Sequence, residues 1–276
     1  MCKINVFLLI LLTFFTFSTG IFDFLFPKCV CSCGTTRENR ILGGQPNQNE
    51  FPWIAQLIAP QKIISGTLIN DKYIITSASL VIGLTPYDVK VTLGFFDRCT
   101  PESHTTNFSV TSIIIHRDFS TTNKINDLSL VKLNTDVKLD NYPTVCLTSK
   151  FENFDGIGIV LGWNNNGNTN GLGYCKRLKL KLPILTFFEC FSTTKREYFT
   201  SDKGCVGIIG AISGVCKNDA GGGVVVKNKH GSYELLGVLS DENVCGNPPS
   251  TALYTKISSH LNWIKENTND ACYCTN

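Results

Sequence analysis

Residues 216–225 read CKNDAGGGVV, and their last members begin a run, GGVVVKN, with the β-branched character of a strand. Working outward, KGCVGII on one side and YELLGVLS on the other repeat the pattern of a short apolar run closed by a turn signal. GIGIVLGW and LKLKLPIL extend it through the second half of the chain. The first half does the same with WIAQLI, SGTLI, YIITSASLVI, VKVTLGFF, SVTSIIIH and LSLVKL. Only near the end does the period change, where Ile257, Leu261 and Ile264 lie at helical spacing in ISSHLNWIKENT. The pattern predicts an all-β chain, two barrels or a sandwich, closed by a short helix.

Composition narrows the function classes. With 276 residues, 43% hydrophobic and 17% charged, the chain suits one large domain or two packed halves, which excludes disorder over its whole length. A net charge of +3 is too small a basic excess to expect a nucleic-acid partner. Lys3, the apolar run VFLLILLTFFTF and the small residues STG have the layout of a secretory signal peptide over residues 1–20. An uncleaved anchor continued through IFDFLF is the alternative, but Asp23 interrupts that run and the apolar stretch is short for a span. The expectation is a secreted, extracellular protein with no membrane association after signal removal.

Thirteen cysteines fit an oxidising compartment, and removal of Cys2 with the signal leaves an even number for pairing. CVCSC and CYC lack the two-residue spacer and neighbouring histidine of a zinc site, so no metal is expected. Nothing in the chain calls for another cofactor.

RILGG, NEFPWIAQL, SGTLINDKYIITSASL, NDLSLVKL, VLGW, CKNDAGGG and LYTKISSHLNWIKEN follow one another in an order that resembles the trypsin-like, chymotrypsin-fold serine peptidases. The likeness runs from about residue 29 to the C-terminus. It implies two antiparallel six-stranded Greek-key barrels, about 41–150 and 151–256, with a terminal helix at about 257–268. The peptidase-like domain is then 41–276, preceded by a Cys-rich prosegment, 21–40.

The chemistry of that family needs a serine to attack, a histidine to take its proton and an aspartate to orient the histidine. Carried over by motif, Asp127 in NDLSL matches the aspartate, Ser79 stands in the histidine's place and Ala220 in the serine's. Alanine has no nucleophile, and a serine hydroxyl is no base near neutral pH. Asn218 replaces the glycine whose amide helps bind the oxyanion. Gly214, Asp241, Glu242 and Ala252 fall at pocket-equivalent positions, where Gly214 replaces the acidic base of an Arg/Lys-specific pocket and Asp241–Glu242 a Trp-Gly wall. None of the remaining histidines, His104, His116, His230 and His260, sits at a matching position.

The resemblance also orders the cysteines. The bridge that would flank the histidine loop is replaced by Ile64 and Leu80, and a second by Gly158 and Val226. Cys190–Cys205 and Cys216–Cys245 match family bridges, and Cys99–Cys175 resembles an extra bridge of arthropod members. Cys29, Cys31 and Cys33 then face Cys146, Cys272 and Cys274. RILGG resembles the activation site, with cleavage after Arg40 freeing the Ile41 amine for an ion pair with Asp219. A cut there would leave residues 21–40 held by up to three disulfides. Arg40 as a merely exposed basic residue is the other reading.

Two surface features stand apart. CKRLKLKLP places Lys176 or Arg177, Lys179 and Lys181 along one strand, either as a solvated face or as a site for anionic polymers. NFS at Asn107 is a glycosylation sequon expected in a loop. The functional expectation is a secreted, non-catalytic protease homologue that binds other secreted proteins as a regulator, cofactor or decoy in an extracellular protease cascade such as innate immunity or melanisation, or as a venom or salivary component. A surface- or glycan-binding protein is the alternative, and a residual serine endopeptidase a third.

Overall fold

Two sets of apolar runs fold into two β-structures in the computed structural model, which describes residues 28–36, 50–60, 62–95, 97, 99–100, 105–149, 156–162, 175–194, 196–211, 215, 219–240 and 250–275. Strand β1 (Lys28–Ser32) precedes them. The first set contains β2 (Ile54–Ala59), β3 (Lys62–Leu68), β4 (Tyr73–Thr76), β5 (Lys90–Leu93), β6 (Thr106–Ile115) and β7 (Ser129–Leu133). These six close into a barrel in the order β2-β3-β4-β7-β6-β5, with β5 returning to pair with β2. Closure leaves no edge strand to pair with another chain. Leu57, Ile64, Leu68, Ile74, Val91 and Val131 fill its interior, each at most 1% exposed.

After the short β8 (Cys146–Leu147), the second set comprises β9 (Ile157–Gly162), β10 (Leu178–Pro183), β11 (Lys203–Ile208), β12 (Gly223–Lys227), β13 (Tyr233–Leu239) and β14 (Ser250–Lys256). They run antiparallel in the order β10-β9-β12-β13-β14-β11, and a bridge between Ile184 and Val206 brings the two ends of that path together. Val160, Leu182, Val206, Val224, Leu236 and Tyr254 pack inside. The two six-stranded, barrel-like sheets are the architecture that the family resemblance implies, and one of the two that the apolar runs allow.

Four features depart from the sequence expectation. YIITSASLVI is not one strand: β4 ends at Thr76, and Ala78–Val81 forms a one-turn helix, α1. Helix α2 (Phe187–Thr193) lies in a stretch without helical periodicity, yet it carries a capping box in which Thr186 and Glu189 exchange side-chain-to-backbone bonds. The terminal helix α3 is limited to Leu261–Glu266. Asn107 is an exposed residue of strand β6 rather than of a loop, and its Oδ1 accepts from Thr92 Oγ1 at 2.7 Å.

The last strand, β15 (Tyr273–Thr275), pairs in parallel with β1. Disulfides Cys29–Cys272 and Cys31–Cys274 cross this pair, and Cys33–Cys146 fixes the next turn to the domain. Gly34, at φ +67°, lies against the backbone of Tyr233 with no room for a Cβ. Its amide donates to the Thr144 carbonyl at 2.7 Å, and its own carbonyl accepts from Tyr233 at 2.9 Å. The segment is thus knitted into the domain by backbone bonds as well as by sulfur.

Candidate functional site

The seam between the two barrels is set by a tight turn ahead of β7. Lys124 and Asn126 take left-handed backbone angles, φ 56° and 55°. Asn126 is held there by donating its backbone N–H to Asp202 Oδ2 at 2.9 Å and its side-chain amide to the Asp118 carbonyl at 3.0 Å. The next residue, Asp127, is thereby directed inward and is fully buried.

A buried carboxylate needs donors for both oxygens. Ser79, near the start of α1, gives its backbone N–H to Asp127 Oδ1 at 2.7 Å and its hydroxyl to Oδ2 at 3.0 Å. Ser240, at the end of β13, donates its hydroxyl to Oδ2 as well. Ser77 Oγ lies 2.7 Å from Ser79 Oγ and extends the chain of hydroxyls. Asp127 therefore caps the α1 terminus from a distance, a task Ser77 does not perform with its own side chain. On the far side, Thr255 Oγ1 donates to the Asp127 carbonyl at 3.4 Å and accepts from Lys203 Nζ at 2.5 Å. Lys203, with a side chain fully shielded from solvent, also lies 3.8 Å from Asp202 Oδ2.

The glycine-rich loop meets the same seam. Ala220 is buried at 2% exposure, and Gly221, at φ +80°, faces Thr76 Oγ1 and the Ser65 carbonyl so closely that no Cβ fits. Gly221 N–H donates to the Leu239 carbonyl and Leu239 N–H to the Gly222 carbonyl, both at 2.9 Å. Asp219 is buried, its carboxylate lodged against Gly162 where any side chain would collide.

Of the residues singled out from sequence, Ser79 and Asp127 are in direct contact, and Ala220 borders the glycine that packs on β4. Ala252 is buried in β14. Cys99–Cys175 and Cys190–Cys205 are joined. Arg40, Ile41, His104, Gly214, Cys216, Asn218, Asp241, Glu242 and Cys245 lie outside the described residues. Ser77 and Ser240 were not anticipated; lone serines at the end of a strand give no signal of the carboxylate they will meet. Ile64 and Leu80, at the positions of the absent bridge, pack in the first core.

None of the described histidines hydrogen-bonds Asp127. His116 and His260 instead pack edge to face at 5.2 Å behind the Asn126 turn. His116 Nδ1 accepts from the Asp118 N–H at 3.2 Å, while His260 places Nδ1 2.8 Å from the Lys256 carbonyl and Nε2 2.9 Å from Asn126 Oδ1. Burial holds both imidazoles below their ordinary pKa, and the neighbouring His260 adds to the effect at His116. The Lys256 carbonyl and Asp202 oppose it at His260 without reversing it.

The lysine strand is partly committed. Lys179 Nζ pairs with Glu50 and lies 4.9 Å over the Phe51 ring, and Arg177 is buried. Of its basic residues, Lys176 and Lys181 stand exposed.

Two β-barrels packed across a buried aspartate, with a triple-glycine loop at the junction, coincide with a match of residues 41–264 to the family model described as Trypsin. The chain belongs to the trypsin family. Among its relatives are the proclotting enzyme of Tachypleus tridentatus, 26% identical over 86% of this chain, and venom serine protease 34 of Apis mellifera, 29% identical over 88%. Phenoloxidase-activating factor 3 of Holotrichia diomphalia is 28% identical over 85%. The matches cover 68%, 62% and 74% of those three proteins. No helix among the described residues is long and apolar enough to cross a membrane.

Proposed function

We propose that this trypsin-family chain is a secreted, non-catalytic protease homologue that works by binding other proteins of an extracellular protease cascade. One observation carries the reading. The Asp127 carboxylate, which in a working triad would orient an imidazole, accepts instead from Ser79 N–H, Ser79 Oγ and Ser240 Oγ. A serine hydroxyl in that place passes no proton to or from a nucleophile near neutral pH, and the methyl group of Ala220 offers none to activate.

The remaining family features act in this reading as scaffold. Gly221, Asp219 and the Asp127 network keep the seam in shape without supplying chemistry. Cleavage after Arg40 would free the Ile41 amine to pair with Asp219 and order surface loops for a partner. The names of relatives, a proclotting enzyme, a phenoloxidase-activating factor and a venom protease, support a regulator, cofactor or decoy in clotting, melanisation or venom. Glycan binding through the lysine strand finds less support, because Lys179 is paired with Glu50.

The test combines two measurements on the purified full-length protein. Incubation with peptide libraries and a fluorophosphonate probe should give neither cleavage nor labelling, before or after cutting at Arg40. Addition to, and depletion from, a reconstituted clotting or phenoloxidase-activating cascade should change its rate. Labelling of the protein would refute the non-catalytic reading, and an unchanged cascade would refute the regulatory one.

A further inference from the structure

An apolar ridge lies on the second barrel, on residues to which the seam gives no task. Helix α2 exposes Phe187 at 62%, Phe188 at 80% and Phe191 at 39%. Phe rings of this size leave on the order of 350 Å² of aromatic surface in water. That is within the range of the largest apolar patch on an ordinary monomer, a patch that is often functional.

The ridge is rigid before anything binds it. Its helix begins with the Thr186–Glu189 capping box and is fastened to β11 by Cys190–Cys205. Phe187 stacks on Phe191 at 6.2 Å with an interplanar angle of 5°, and Phe199 props both from below, at 5.1 and 5.9 Å. A partner would therefore meet rings already ordered, which removes much of the entropy cost of immobilising them.

The rim indicates the partner. Arg196 sits over the Phe191 ring at 5.3 Å, with exposed Glu197 beside it. Neither makes an ion pair among the described residues. Adjacent opposite charges beside an apolar centre are self-complementary: under a two-fold axis, Arg196 of each copy meets Glu197 of the other while the phenylalanines stack. A standard interface buries about 800 Å² per partner, so the rings supply less than half and a polar rim the rest.

We propose that the α2 ridge is the core of a symmetric dimer interface, and that its occupant is a second copy of this chain. The inference does not depend on whether the seam is catalytic.

Sedimentation of the full-length protein over a concentration series tests it. The wild type should be dimeric at micromolar concentration, and Phe188→Ser should weaken the dimer about tenfold or more. Phe188 is mostly solvent-exposed, so an unchanged melting temperature should accompany that loss. Arg196→Glu and Glu197→Arg should each dissociate the dimer, while the Arg196→Glu/Glu197→Arg double swap should restore it, since both cross-pairs re-form with their signs exchanged. A wild type that remains monomeric, binding to phosphatidylcholine vesicles by the monomer, or a double swap no better than the single variants would overturn the proposal.

Discussion

Ser79 gives both its backbone N–H and its hydroxyl to the two oxygens of Asp127, at 2.7 and 3.0 Å. The two bonds tie the start of α1 to the buried carboxylate, and their energetic weight can be measured. Asp127→Ala would take a fully buried carboxylate acceptor away from these two donors and from the Ser240 hydroxyl. Stability should drop by about 3 kcal/mol or more, read from urea unfolding. A drop under about 1 kcal/mol would mean that water replaces the carboxylate freely.

A hydroxyl placed at position 220 should not by itself give hydrolysis. Ala220→Ser would place a hydroxyl beside Gly221, but Ser79, the residue bonded to Asp127, supplies no base. Fluorophosphonate labelling of the variant is expected at the wild-type background. Stoichiometric labelling would show that another group activates it.

The paired histidines predict how stability responds to acid. Burial holds the folded-state pKa of His116 and His260 below the unfolded value of about 6.5. The unfolded chain therefore binds more protons in the window just under that value, and stability rises with pH there. The contribution is complete above about pH 6.5 and is lost as pH falls through the lower, folded values. Asp118, Arg117, Asp202 and Lys203 modulate the pair without changing the sign. Melting temperatures taken between about pH 8 and pH 5 should fall on the acid side, and His116→Gln/His260→Gln should flatten the slope. An equal slope in that variant would assign the acid response to other groups.

The N-terminal clip makes a prediction on a gel. Cys29, Cys31 and Cys33 are bonded to Cys272, Cys274 and Cys146. After a protease cut at Arg40, the protein should run as one species without reductant and lose a short N-terminal fragment with it. Release of the fragment without reductant would show that the clip does not hold.

The barrels were legible in the sequence because their strands alternate or run apolar between clear turn signals, and a period of two survives single exceptions. Helix α2 was hidden because its aromatic residues face solvent, so the usual periodicity of a buried face is missing; the Thr186–Glu189 spacing was the readable mark. YIITSASLVI misled for the opposite reason, since its apolar residues continue past the point where Ser77 and Asp127 turn the backbone into α1. At the seam, Ser79, Asp127 and Ala220 could be located by motif. Ser77 and Ser240 could not, because only tertiary packing brings them to Asp127. The burial of Lys203 also escapes a reading in which lysines belong to surfaces.

The β1–β15 clip has a mechanical meaning as well. Cys29–Cys272 and Cys31–Cys274 each span 243 residues, so the covalent path from one end of the domain to the other bypasses both barrels. A pull on the two ends is borne by sulfur–sulfur bonds and two short strands, and neither barrel lies in the line of force. Single-molecule stretching should give no barrel-unfolding step until a reductant is added, whereupon the full contour length becomes available.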